Sequence, residues 1–146
     1  MKKFKFLAVL FLLGTVFVSC KEKESGWNNF YDCTREDVIG SYVASNVSDA
    51  FDGLMESPYC RICNDAAVEI TYQGGQIQFQ INSPNSGFSC TLRGNSIMND
   101  NDFLMQMTYG AYELIASIYT NKANEVRLHG YVRKEHTNYY FDVIKN

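Results

Sequence analysis

Between Ala66 and Ser83 the chain alternates apolar and polar residues on both sides of a glycine pair. Val68, Ile70 and Tyr72 alternate with Glu69, Thr71 and Gln73; after Gly74-Gly75, Ile77, Phe79 and Ile81 alternate with Gln76, Gln78 and Gln80. Successive side chains of an extended strand point to opposite faces. A period of two on both sides of a two-residue turn therefore predicts a β-hairpin with one buried and one wet face. Such a hairpin needs further strands or a packed layer to be stable, so the rest of the chain has to supply them.

It does so repeatedly. Val38 to Ser45 reads as the first strand. Phe88, Cys90 and Leu92 alternate with Ser89, Thr91 and Arg93 after a Ser83–Gly87 turn, and Gly94-Asn95 turns into a further segment at Ser96-Ile97-Met98. Val126, Leu128, Gly130 and Val132 alternate with Glu125, Arg127, His129, Tyr131 and Arg133, and Tyr139 to Ile144 forms the last strand. Phe103 to Thr120 admits two readings. Leu104, Met107, Ala111, Leu114 and Ile118 fit a helix face with Asp100 or Asp102 as cap. Gly110 in the middle costs a helix about 1 kcal/mol against Ala, and Tyr109, Tyr112, Ile115, Ile118 and Tyr119 prefer strands. The expectation is two strands, Phe103–Tyr109 and Tyr112–Thr120, joined at Gly110-Ala111; a helix over 103–118 in an α+β domain is the alternative.

Two segments carry helical signals. Thr34 to Asp37 starts one turn, with Thr34 as cap and Asp37 three residues on. Asn46 or Ser48 caps a second short helix whose apolar stripe is Ala50, Phe51, Leu54 and Met55, stopped by Pro58. Trp27 to Asp37 is expected to strap the end of the domain. About eight strands in mostly hairpin order predict an all-β antiparallel up-and-down barrel with one short helix; a two-sheet β-sandwich is the runner-up.

The start of the chain sets its compartment. Lys2, Lys3 and Lys5 precede an apolar run, Phe6 to Val18. The run is shorter than the roughly 20 residues a membrane-spanning helix needs, and has the layout of a secretory signal. Phe17-Val18-Ser19-Cys20 resembles the bacterial lipobox, with Phe17 where Leu is usual. The resemblance implies a signal peptide over 1–19, acylation (palmitate) of Cys20 and a lipid anchor in the cell envelope. Several chains on one cysteine are needed because each buried methylene contributes only about 0.8 kcal/mol. Residues 20–26 form a charged tether, Lys21-Glu22-Lys23-Glu24-Ser25-Gly26, similar to the export tag of Bacteroidetes surface lipoproteins. That similarity implies the outer membrane, periplasmic or surface-exposed. Ile39-Gly40-Ser41-Tyr42 resembles the opening strand of lipocalin-like (calycin) barrels, where Gly-x-Trp/Tyr sits near the closed end. The strand–turn cadence of Phe88 to Ile97 resembles small Bacteroidetes lipoproteins with that domain, here placed at 27–146.

Without residues 1–19 the chain carries 10 basic and 16 acidic residues, a net charge of −6 obtained from 13 − 3 basic against 16 acidic. A mildly acidic chain without basic clusters argues against nucleic acid. There is no Gly-rich phosphate loop, no Ser nucleophile elbow and no His-rich tract. No catalytic residue, metal site or cofactor is assigned. Asp49 with Asp52, and Asp100 with Asp102, read as turn carboxylates, and His129 and His136 as surface residues. Cys33, Cys60, Cys63 and Cys90 are an even number of cysteines in an exported chain, which predicts two disulfides. Cys60 and Cys63 are too close to pair with each other comfortably, so each is expected to pair with Cys33 or Cys90, in either combination. Cys60-Arg61-Ile62-Cys63 also has the C-x-x-C spacing of redox and zinc sites, but no βαβ unit or second C-x-x-C accompanies it.

The expected function is therefore a non-enzymatic binding module on a membrane anchor, holding a small apolar or amphipathic ligand in its barrel. The alternative is a protein–protein interaction, inhibitor or immunity lipoprotein of the cell envelope with a filled barrel. The dense tyrosines Tyr109, Tyr112, Tyr119, Tyr131, Tyr139 and Tyr140 supply a candidate surface for it.

Overall fold

A computed structural model describes residues 26–46, 50–95 and 104–146. The expected signal peptide, Cys20, most of the tether, Ser48, Asp49, the Ser96–Met98 segment, Asp100, Asp102 and Phe103 lie outside the described residues. Ten strands and one short helix follow in chain order: β1 (Trp27–Asn29), α1 (Arg35–Val38), β2 (Gly40–Ala44), β3 (Cys60–Ile62), β4 (Ala67–Gln73), β5 (Gln76–Ser83), β6 (Phe88–Gly94), β7 (Leu104–Tyr109), β8 (Tyr112–Asn121), β9 (Val126–Lys134) and β10 (Thr137–Lys145). Among the described residues no helix is long and apolar enough to cross a membrane.

All ten strands belong to one sheet, in the order β1-β8-β9-β10-β2-β4-β5-β6, with β7 also on β8 and β3 also on β10. The two-sheet sandwich is thereby excluded. Every pairing is antiparallel except β3 with β10. The predicted hairpin is present, with Gln73 opposite Gln76 across the glycine turn. β7 and β8 form another hairpin, with Tyr109 opposite Tyr112, so the helix alternative over 103–118 is overturned. The physical reason lies at Gly110, whose φ of 59° sits in the left-handed region that a tight turn uses and that glycine reaches without penalty.

The second helical expectation also fails. Residues 50–53 form a turn rather than a helix, closed by a hydrogen bond from the Leu54 N–H to the Phe51 carbonyl. The stripe does not make one buried face, because Met55 is 81% exposed. The helical turn at Thr34 does form. Asp37 accepts hydrogen bonds of 2.7 Å from both the backbone N–H and the hydroxyl of Thr34.

The sheet is open and not a closed barrel. β2 pairs with β10, which joins the first long strand to the last, but no ladder joins β6 to β7 among the described residues. Cα atoms of these two strands nonetheless come within 8 Å of each other, so the sheet is strongly curled. Residues 95–103 separate them, too many for a tight turn that would fix a register.

The concave face is the core. Tyr42, Phe79, Phe141, Ile70, Ile81, Leu92, Met105, Leu114, Ile118, Leu128 and Val132 are all shielded from solvent. The rings of Phe79 and Phe141 meet across the interior at 5.8 Å, and those of Phe88 and Tyr139 stack at 3.7 Å, near-parallel. α1 closes one end. The Tyr42 hydroxyl donates to the Val38 carbonyl at 2.6 Å, and Lys145 Nζ donates to the Asp37 carbonyl at 2.7 Å. Gly40 lets Lys145 pass, since a Cβ there would stand 2.7 Å from Lys145 Cε. Tyr42→Phe leaves a buried carbonyl without its donor. The expected cost is about 1–2 kcal/mol, read as a lower urea midpoint at unchanged m-value.

Candidate functional site

Phe141 and Val143 point into the core, so Asp142 between them points to the convex face. The same parity puts Arg127, His129, Tyr131 and Arg133 of β9 and Glu113, Ile115, Ser117 and Tyr119 of β8 on that face. The registers align them in cross-strand rows: Tyr119–Arg127–Ile144, Ser117–His129–Asp142, Ile115–Tyr131–Tyr140–Ile62 and Glu113–Arg133–Asn138–Cys60. A convex face is ordinarily wet, yet the Asp142 side chain is 0% exposed and that of Arg127 only 10%.

Arg127 grips Asp142 with both arms of its fork, Nε to Oδ1 at 2.6 Å and one terminal nitrogen to Oδ2 at 2.8 Å. Aromatic side chains roof the pair. The guanidinium lies 5.7 Å from the Trp27 ring centre and 5.9 Å from that of Tyr119, and the Phe51 ring is 6.2 Å from that of His129. The roof is thus Trp27 of β1 and Tyr119 of β8, with Phe51 against His129 beside them. Nearby, the Ser45 N–H donates to the Asp142 carbonyl and Thr137 Oγ1 donates to the Pro58 carbonyl. Burial pushes the Asp142 pKa up, but His129 and Arg127 outweigh it and hold the carboxyl below its ordinary value. Arg127 dominates, because it makes two short bonds while His129 Nδ1 stands 3.7 Å away, beyond hydrogen-bonding range.

Ser117, His129 and Asp142 in one row are the residue types of a hydrolase triad, which the sequence did not suggest. The geometry does not assemble a proton relay. His129 Nδ1 is buried without a hydrogen-bond partner, both Asp142 oxygens are committed to Arg127, and among the described residues no hydrogen bond joins Ser117 to His129. What the cluster does is fasten the roof to the sheet.

The next two rows stay half open. The Tyr131 and Tyr140 rings meet at 5.3 Å. Arg133 lies 5.5 Å from the Tyr131 ring centre and pairs with Glu113 at 3.1 Å, and Lys134 lies 5.7 Å from the Tyr112 ring centre. Of the tyrosines picked out in sequence, Tyr140 joins this surface while its neighbour Tyr139 turns inward onto Phe88. Tyr109 is exposed at the β7–β8 turn. His129 is on the convex face as expected, although with its Nδ1 buried, and His136 is exposed in the β9–β10 turn. Asp52 is exposed, and no group of three or more metal-binding side chains occurs among the described residues.

Cys33, Cys60, Cys63 and Cys90 are unbridged thiols in this structure. Cys60 and Cys63 are three residues apart on an extended segment, so they face opposite sides of the sheet. Cys60 lies opposite Asn138 on the convex side, whereas Cys63 is buried in the core. A C-x-x-C with its thiols on opposite faces can form neither a redox pair nor half a zinc site. Cys33 sits by Asp37, Lys145 and Tyr42 at the α1 end.

No family model matches the chain, and neither a curated protein nor a solved structure matches it.

Proposed function

We propose that this chain is a lipid-anchored envelope protein whose β domain is a non-enzymatic protein–protein interaction module, not a carrier of a small ligand. The observation that carries this reading is the packing of large side chains against one another on the concave face. Phe79 and Phe141 meet ring to ring at its centre with Leu92, Leu114 and Leu128 fully buried around them.

The curled sheet is read here as a lipocalin-like barrel unzipped along one seam. Following β2, β4, β5, β6, β7, β8, β9 and β10 back to β2, the β6–β7 step alone lacks a ladder among the described residues. The arrangement of Gly40, Tyr42 and Lys145 around α1 supports that reading, since it is where the Gly-x-Tyr resemblance expects a closed end. The partner surface is the half-open convex strip of Ile115, Tyr131, Tyr140 and Arg133, whose aromatic and arginine content suits an interface.

The test uses the native protein in its own membranes. Chemical cross-linking followed by mass spectrometry is expected to recover one defined envelope protein linked near β9–β10. Tyr131→Ala with Tyr140→Ala is expected to cut the yield at least tenfold without unfolding the domain. A stoichiometric lipid or other small molecule released from the native protein, with no protein partner, overturns the proposal in favour of the ligand carrier. Fatty-acid labelling of Cys20, abolished by Cys20→Ala, tests the anchor separately.

A further inference from the structure

We propose that the chain carries a single covalent staple, a Cys63–Cys90 disulfide that ties edge strand β6 to the β3–β4 corner, and that Cys33 and Cys60 take no part in it. Three placements carry this pairing. Cys63 is turned into the core by its backbone, whose N–H donates to the Tyr140 carbonyl at 2.8 Å. Its thiol lies against the hydroxyls of Ser83 and Ser86, and Ser86 is itself held by a 2.9 Å bond to the Ile62 carbonyl. Ser83 is opposite Phe88 and Cys90 is opposite Ile81 in the β5–β6 ladder. Ser83 and Cys90 are therefore diagonal neighbours on the concave face, and a thiol touching one is within a side-chain length of the other. Cys63 is close enough to help raise the Cys90 pKa, after burial, which agrees with that placement.

The other pairings fail on distance and direction. Disulfide-bonded residues have Cα atoms about 4.4–6.8 Å apart. Cys60 is level with Asn138 on β10, whereas Cys33 is beside Lys145 at the strand's far end. Those positions are seven residues apart, about 23 Å along a strand, and Cys63, which follows Ile62 opposite Tyr140, is still about four residues, roughly 13 Å, short of Lys145. Cys60 points to the convex face, away from Cys90. The sequence could not choose among these pairings because it does not say which end of the sheet holds Cys33.

The chemistry is thiol–disulfide exchange with a disulfide of the envelope's oxidising system or with oxidised glutathione. The Cys63 and Cys90 thiols lose two protons and two electrons, and the partner disulfide takes them up as two thiols. Burial first, then the neighbouring Cys63, pushes the Cys90 pKa up to about 12, and burial raises that of Cys63. Exchange needs thiolate, which burial disfavours in the folded domain, so the bond forms faster while the domain is still folding. The closed loop of about 28 residues shrinks the unfolded ensemble and holds β6 at the seam, where among the described residues it has no ladder partner on its free side. It also keeps the Phe88–Tyr139 stack shut.

This inference rests on the exported reading for its oxidant but not for its geometry, and the experiment separates the two. Full-length protein is taken from envelopes with free thiols blocked, and a second sample is refolded in a glutathione redox buffer; both are digested without reductant. The expected result is one peptide pair linking Cys63 to Cys90 in both samples, with Cys33 and Cys60 alkylated. Reductant is expected to lower Tm by about 10 °C or more, and Cys90→Ala by a similar amount without further loss on reduction. Linkage after refolding but not in envelopes upholds the pairing and rejects the oxidising compartment. A link that includes Cys33 or Cys60, or no link in either sample, overturns the proposal.

Discussion

Asp142→Asn is expected to lower the unfolding free energy by about 3–5 kcal/mol, the cost of breaking a buried ion pair from one side. The carboxylate accepts both donors of Arg127 at 2.6 and 2.8 Å and its side chain is 0% exposed. An asparagine of the same shape presents one oxygen and one NH₂ group. The NH₂ then faces an arginine donor, and the guanidinium stays under Trp27 and Tyr119 with no countercharge. Removing both charges is a different experiment. Arg127→Met with Asp142→Leu replaces a desolvated pair by apolar groups of similar volume, and such replacements are often neutral or stabilising. Urea titrations of the two single variants and the double variant are therefore expected to be strongly non-additive, with the double variant recovering most of the loss. An Asp142→Asn variant within 1 kcal/mol of wild type would show that the roof holds without the pair.

The same carboxylate sets the acid limit. Its folded pKa lies below the unfolded value of about 3.9. Its contribution is therefore complete above that value and is lost as the pH falls below it towards the folded pKa. Asp65, which accepts from the Ser83 hydroxyl and at 2.8 Å from the Asn85 N–H, is also held low and acts in the same window. Stability is expected to be flat from neutral pH down to about 4 and to drop below it, with a shallower drop in the Arg127→Met, Asp142→Leu background.

Several strands were legible because one of their faces is dry and the other wet. Val68, Ile70, Phe79, Ile81 and Leu92 announce their side of the sheet by spacing alone, and the β4–β5–β6 ladders follow from it. β7 and β8 were legible because Gly110 breaks the competing helical spacing. The turn at Ala50 was misread for the opposite reason. Ala50, Phe51, Leu54 and Met55 satisfy a helical period, but spacing does not tell whether anything lies opposite them, and Met55 meets solvent. Barrel closure depends on a register between β6 and β7 that no tight turn specifies. The Asp142 cluster left no trace in the pattern, because Asp142 occupies the polar phase of an ordinary alternating strand. Its partners Arg127 and His129 meet Trp27, 115 residues before Asp142 in the chain, and Phe51. The split of Cys60 from Cys63 follows from an odd separation on a strand, but no alternation in the sequence announced β3.

Gly130→Ala, a change of one methyl group, is expected to cost about 3 kcal/mol or more. Gly130 sits in the concave phase of β9, opposite Ala116 on β8 and Phe141 on β10. A Cβ built there would stand 2.1 Å from the Ile115 carbonyl oxygen, 2.5 Å from Ala116 Cα and 2.9 Å from Ala116 Cβ. Two of those three atoms are backbone, so no rotamer change relieves the overlap. β8 has to move away from β9 at the centre of their ladder, disturbing hydrogen bonds on both strands as well as the packing of Leu114 and Leu128. That exceeds ordinary overpacking, which costs roughly 1–3 kcal/mol when side chains can yield. The second-site test follows from the same distances. Ala116→Gly removes the 2.9 Å contact but leaves the carbonyl at 2.1 Å, so it is not expected to rescue Gly130→Ala. Gly94→Ala at the end of β6 is the control: nothing lies within 4 Å of the added atom, and the expected change is neutral to about 1 kcal/mol stabilising. Thermal melts of the four proteins decide it, and a Gly130→Ala domain melting within a few degrees of wild type would mean that β8 and β9 are not packed backbone to backbone at this point.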